Sequence, residues 1–485
     1  MKRISAILLA IVLVFSLVGC GKGKKRQPIQ LTLSTEDSEA ILRAAGIQLP
    51  EADTAAGANS VVKYFGWGDP FQNYDENEVV SLGYWTFQNK YNSSITYIET
   101  DYFDRFDDLA LLITAGDPPD MTVGGNGSTA MFPMSAIKTM IQPVDPWIDY
   151  NDPLWRDMKD LADLFTLGGK HYQITIESTP SNVCLYNRRV FDEYGYEDPA
   201  ELYYNDEWTW DKFYEMCADF SDVDEDRFAL DGYPYSGAMI ESSGQQLMQI
   251  DENGKFYSNV DSPEIERAQN LLYELCKNDC NYRGSDGSRW ARRDQDGGPC
   301  GMKEGKLLFY ILGESFFQDT VENIEANFGA ISEGELMFAP LPRDPLGDGN
   351  YYMASTFNDI YGCYVIVNNA RNPEGAALLS ACIRFKVIDP IVSGIATRQL
   401  KETYLWSDDM ISMSEECAKI AAAHRVFDLG GNLPENLGNA LNGISWAIAR
   451  SSNPQSWGQL KEQYGDQIEF YIEQLNDMID QYNEG

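Results

Sequence analysis

Three observations predict an α/β fold. Short runs of β-branched and aromatic residues alternate with helix-period stretches from Val61 onward, 44% of the chain is apolar, and about 425 residues follow Ser60. Strand alternating with helix implies a parallel sheet linked by crossover helices, and the length supplies two or three domains with cores of their own. Val61-Val62-Lys63-Tyr64-Phe65 reads as the first strand. Val80, Tyr84, Phe87 and Tyr91, spaced i, i+4, i+7, i+11, form one helical face. Ile95 to Ile98 is a second strand, Phe103, Phe106, Ala110 and Ile113 a second helical stripe, and Asp120 to Val123 a third strand. Ligands of open sheets bind just beyond the carboxyl ends of the strands, which here are Trp67 to Asp69, Glu99 to Asp101 and Gly124 to Asn126. Farther on, Thr209 is an N-cap ahead of Trp210 and Phe213, which assigns Trp210 to the core. Asn372-Pro373-Glu374 opens another helix, with Asn as cap and Pro in the first turn. Ile468, Ile472, Leu475, Ile479 and Tyr482 keep helical spacing and read as packing.

The first 60 residues have a different character. Lys2 and Arg3 precede an apolar run, Ile4 to Val18, of signal-peptide length and too short to span a bilayer comfortably. The run ends in Leu17-Val18-Gly19-Cys20, which resembles the bacterial lipobox, so residues 1–19 are expected to be removed and Cys20 to be lipidated. Lys22, Lys24, Lys25 and Arg26 follow at once; beside anionic headgroups each contributes about 1 kcal/mol. Lipid and basic cluster give the two signals that stable anchoring needs. Residues 20–60 read as a flexible tether with one short helix near Ser38 to Ala45.

Charge and cysteine content exclude several functions. The formal charge is −38, or −40 once Lys2 and Arg3 are removed and −44 with the four linker cations also set aside. Such a body repels nucleic acid and anionic membranes alike. Apart from Cys20, eight cysteines show no CxxC pair; Cys276 and Cys280 read as buried thiols on a helix. With only His171 and His424, neither a His-based zinc site nor a Ser-His-Asp triad is supplied. Asp222, Asp224 and Asp226 begin like a calcium loop, but Arg227 stands where Gly is required and Tyr233 where the bidentate Glu belongs. No cofactor, metal or catalytic residue is predicted.

Three blocks of sequence carry a family resemblance. Leu109-Ala110-Leu111-Leu112-Ile113-Thr114-Ala115-Gly116-Asp117-Pro118-Pro119-Asp120 is the first. Gly168-Gly169-Lys170-His171-Tyr172, Leu185-Tyr186-Asn187-Arg188-Arg189-Val190-Phe191-Asp192-Glu193-Tyr194-Gly195 and Trp208-Thr209-Trp210-Asp211-Lys212-Phe213 form the second. The third runs from Met302-Lys303-Glu304-Gly305-Lys306-Leu307 through Gly313 and Phe328-Gly329 to Ala339-Pro340-Leu341-Pro342. In order and spacing, from about Val61 to Trp446, they resemble the family 1 extracellular solute-binding proteins of ABC importers, the group that includes maltose-binding protein. The resemblance implies a periplasmic-binding-protein-like fold of type II, a Venus flytrap of two α/β lobes closing about a hinge. It places one lobe at 61–174 plus 355–400 and the other at 178–350 plus 401–485. It also implies a monomer outside the membrane that delivers a small solute to a permease.

Cleft candidates come from strand ends and from positions matching the family. Trp67 and Asp69 suit a sugar, the ring packing on C–H groups and the carboxylate accepting hydroxyls; a surface turn before Pro70 is the alternative. Asn126 lies in a Gly-rich loop that also reads as a plain turn. By the resemblance, Glu177 falls on the hinge crossing, Tyr233 and Tyr235 on a loop that carries an aromatic platform, and Trp446 on a helix that delivers an aromatic to the cleft. Where relatives place a stacking Trp after Gly313, this chain has Glu314-Ser315-Phe316-Phe317, so Glu314 and Ser315 become polar candidates and Phe316 the aromatic substitute. Trp290 with Arg289, Arg292 and Arg293 is a basic island that suits either an anionic substituent or neighbouring carboxylates. The aromatic content of 12% favours a carbohydrate solute. A peptide or other solute is the alternative, and an exported carbohydrate-active enzyme the least favoured, because no carboxylate pair is marked out.

Overall fold

The computed structural model describes residues 35–51, 61–71, 79–125, 130–232, 235–282, 300–356, 362–429, 433–450 and 453–484. The predicted strand–helix alternation forms the first lobe. Strand β1 (Val61–Gly66) is followed by helix α2 (Val79–Tyr91), β2 (Ser94–Glu99), α3 (Arg105–Thr114) and β3 (Met121–Val123), with a preceding helix α1 (Thr35–Ala44). β1 pairs in parallel with β2, from Val61 opposite Ser94 to Gly66 opposite Glu99, and with β3 on its other side. The sheet continues antiparallel through Cys363–Val367, which carries Ile141–Gln142 and Ile174–Thr175 on its far edge.

The sheet is therefore mixed, not purely parallel as the alternation suggested. Cys363–Val367 returns from the other lobe and enters at the end where β3 leaves, so no crossover helix dictates its direction. The second lobe is likewise mixed, in the order Phe228–Asp231, Leu307–Leu312, Val183–Asn187, Leu336–Ala339, with only the first pair parallel. A small sheet joins the lobes: Thr179–Pro180, Met353–Thr356 and Arg425–Phe427, one strand from each of three crossing segments.

Packing follows the sequence pattern. On α2, Val80, Phe87 and Tyr91 are buried, and the helix lies against Pro373–Val387. Contact is so close at Gly83 that a Cβ there would stand 2.7 Å from the Ile383 backbone. Thr209 and Asn372 accept bonds from Lys212 and Gly375 as N-caps, and Trp210 is buried with its indole donating to Ser242. Arg384, 2% exposed, donates to the carbonyls of Leu154 and Ile176 and to Asp157, pinning the start of one crossing to the first lobe. The eight described cysteines, Cys276 and Cys280 included, are all buried.

Two features go beyond the sequence reading. Residues 35–51, expected to belong to a leash, are docked: Leu42, Ile47 and Leu49 enter the core of the first lobe, and Ser38 donates to Asp389, the N-cap of helix Pro390–Glu402. The Tyr91 hydroxyl closes the segment by donating to the Pro50 carbonyl at 2.5 Å. A tether's composition does not disclose three apolar residues that find a partner surface more than 300 positions away. Helix Trp457–Glu484 buries Ile468, Ile472, Leu475 and Ile479 as the stripe predicts, and its last turn reaches the first lobe, where Tyr482 shares a hydroxyl bond with Tyr172.

Candidate functional site

The crossing segments locate the cleft. Residues 176–182 leave the first sheet beside Cys363 and enter the second at Val183, opposite Leu312. The carboxyl ends of β1, β2 and β3 therefore face the end of Leu307–Leu312 and, beside it, the end of Phe228–Asp231. Chain approach at the end of β3 demands glycine: a Cβ on Gly124 would sit 2.8 Å from the Cys363 sulfur and 3.3 Å from the Gln173 amide carbon, and Gly125 has φ of 71°. Gln173 itself is fully buried, and neither end of its side-chain amide has a partner among the described residues.

On the first lobe the half-buried Trp67 ring meets Tyr102 edge to face at 5.4 Å, and Tyr102 meets Phe103 at 5.3 Å. Beneath them the Arg105 guanidinium lies 4.4 Å from the Tyr102 and Phe106 ring centres and 5.7 Å from Trp67. Its burial lowers the Arg105 pKa, and contacts with ring faces offset part of the lost hydration, about 1 kcal/mol each. Asp69 accepts the Phe71 N–H at 2.8 Å, which makes it the closing residue of the turn after β1. It also helps to raise the phenols of Tyr64 and Tyr97, after burial and, respectively, Tyr97 and Glu99.

The remaining candidates separate. Glu177, 6% exposed, lines a cavity of about 490 Å³ with Ser178, Asp157, Arg384, Arg425 and Phe427. That cavity lies between the first lobe and the end of helix Asp408–Ala423, and neither Trp67 nor Asp69 borders it. Glu314 is 5% exposed and turned toward the same helix, where Ser414 donates to one oxygen at 3.1 Å; burial pushes its carboxyl up to about 8. Ser315 is half-buried and Phe316 is 37% exposed at the end of Leu307–Leu312, so the aromatic substitute is the more available of the two. Trp446 is half-buried on helix Glu435–Arg450. Tyr235 begins helix Tyr235–Glu241, and its side chain lies outside the described residues, as do Cys20, Asn126, Tyr233 and the basic island around Trp290.

Three features were missed. Tyr102 and Arg105 belong to the cluster at Trp67, and Phe103, read as part of a helical stripe, precedes α3 and is 85% exposed. Their signal was position: they follow directly on the predicted strand end. Glu241 closes the third feature, with Asn182 and Gln246 donating to it and burial, then Asp428, raising it to about 7. Gln246 is only five residues away, but Asn182 and Asp428 come from distant parts of the chain, so the burial that raises Glu241 is not marked locally. Among the described residues no group of three or more His, Cys, Asp or Glu is placed to hold a metal ion.

A comparison with curated protein sequences found no match. Solved structures are similar in fold. The cyclic α-maltosyl-1,6-maltose binding protein of Arthrobacter globiformis aligns at TM-score 0.60 and 14% identity, over 85% of this chain and 98% of its own. The galacto-N-biose/lacto-N-biose I-binding protein of the Bifidobacterium longum ABC transporter, in complex with lacto-N-biose, aligns at 0.59 and 14%, over 86% and 97%. An extracellular solute-binding protein from Staphylococcus aureus in complex with maltose aligns at 0.56 and 12%, over 86% and 98%. These likenesses bear out the two-lobed, periplasmic-binding-protein-like fold. The family model for bacterial extracellular solute-binding proteins matches residues 85–384, from within α2 to the helix Pro373–Val387, and on that span the chain belongs to this family.

Proposed function

We propose that the chain is the lipid-anchored solute-binding component of an ABC importer, which captures a sugar or oligosaccharide between its lobes and delivers it to a permease. The observation that carries this reading is the aromatic cluster at the ends of β1 and β2, facing the second lobe across three crossings. Ring faces suit the C–H surfaces of pyranoses, and the structurally similar proteins named above are described with sugars. In this reading Cys20 carries the lipid at the outer face of the cell membrane. The lobes comprise 61–174 plus 355–400 and 178–350 plus 401–485, and the working protein is a monomer without catalytic residues. Trp67, Asp69, Asn126, Tyr233, Tyr235, Ser315 and Trp446 are proposed ligand contacts. Glu177 and Glu314 are retained as contacts only through a closing motion, since ligand bound between lobes stabilises the closed state by its differential affinity.

Thermal unfolding of the chain from residue 27, against monosaccharides, oligosaccharides, uronates and short peptides, tests the reading. A ligand at 100 times its Kd adds about 2.7 kcal/mol. A shift with one sugar class and no product formed is expected. A response to peptides alone would overturn the carbohydrate assignment, and turnover of a glycan would overturn the absence of chemistry.

A further inference from the structure

The rim of the first lobe extends the site away from the hinge. β2 is the outermost strand of its sheet, β1 the next and β3 the third, with Cys363–Val367 and the crossings beyond. Neighbouring strands lie about 4.8 Å apart, so the ends of β3, β1 and β2 span about 10 Å from the hinge side to the mouth. Aromatic rings follow that line outward. Trp67 stands at the end of β1, Tyr102 after β2 and Phe103 beyond it, joined by edge-to-face contacts of 5.4 and 5.3 Å.

Exposure rises along the row. Trp67 and Tyr102 are half-buried, whereas Phe103 is 85% exposed. An isolated exposed apolar residue needs no explanation, but this one is held in place: its N–H donates to Asp101 at 2.8 Å, and its ring leans on Tyr102, which is stacked in turn on Arg105. A fixed ring loses little freedom on contact, so its burial favours a partner with little entropic cost.

Resting on the carbohydrate reading above, we propose that Phe103 is a length-selecting contact. It packs against a sugar unit beyond the one held at Trp67, and the solute is an oligosaccharide rather than a monosaccharide. Glycine or a polar residue at 103 would leave the inner site intact and remove the outer one.

Isothermal titration of the chain from residue 27 and of its Phe103→Ala and Phe103→Tyr variants tests this, with mono-, di-, tri- and tetrasaccharides of whichever linkage the unaltered protein binds. Expected is a three- to tenfold weaker Kd for the tri- and tetrasaccharide in Phe103→Ala, roughly the loss of one aromatic contact. The same variant should change monosaccharide binding less than twofold, keep its unfolding temperature, and recover in Phe103→Tyr. Equal loss at every length, no loss at any length, or an unaltered protein that binds only a monosaccharide would overturn the proposal while leaving the carbohydrate reading standing. Failure of the unaltered protein to bind any sugar would overturn both.

Discussion

Replacing Glu314 by Gln should make the protein more stable in proportion to pH. The carboxyl is 5% exposed, one oxygen accepts from Ser414, and burial lifts its pKa to about 8, against about 4.3 for a free Glu side chain in the unfolded chain. Between those values the folded state holds a proton that the unfolded state has released. Stability contributed by this group is thus fully present below pH 4.3 and is lost as pH rises toward 8. At about 1.4 kcal/mol per unit the loss approaches 4–5 kcal/mol, an order-of-magnitude ceiling. Glutamine keeps the shape and an acceptor for Ser414 but carries no charge to bury. Urea unfolding of both proteins from pH 5 to 9 isolates the effect, because all other titrations cancel in the difference. The variant's advantage should grow by up to about 1.4 kcal/mol per pH unit and level off above pH 8. A difference that is flat across the range would show that the carboxyl ionises normally, and would refute its assignment to a dry interface with helix Asp408–Ala423.

Gly83→Ala forces a methyl to within 2.7 Å of the Ile383 backbone; the helices must part, and a loss of about 2–3 kcal/mol in chemical denaturation is expected. Burial raises the thiols of Cys184, Cys217, Cys382 and Cys417, so iodoacetamide at pH 8 should leave all four unlabelled in the native protein and label them in urea, as read by mass spectrometry. Ile47→Asp puts a charge into the docking face of residues 35–51, where Ile47 is 4% exposed. Limited proteolysis should then cut within that segment while the fragment from Val61 onward survives.

Much of the fold was legible because its signals are local. Periodicity alone marks β1, α2 and β2, and caps such as Thr209 and Asn372 satisfy donors within three residues of themselves. Strand direction was not legible beyond β3, since Cys363–Val367 lies some 240 residues away in sequence and its orientation follows from the crossings. The site divided in the same way. Trp67 could be named because it follows a strand, but Phe103 was given to a helix because its spacing to Phe106 imitates one. For Glu314 the sequence reports polarity and not direction: its carboxyl turns toward Ser414, 100 positions away.

The docked segment ahead of β1 also sets a distance. With Cys20 as the membrane anchor, 41 residues up to β1 would allow the body to roam some 140 Å from the bilayer at full extension, taking about 3.5 Å per residue. Because the chain is already docked from α1, beside helix Pro390–Glu402, an anchor at Cys20 would stand about 15 residues from the docked segment, a span of at most about 50 Å. That is on the scale of the protein's own diameter. On the proposed anchoring the first lobe would be confined to a thin layer above the membrane, and an encounter with a partner in that membrane would begin from a restricted set of orientations.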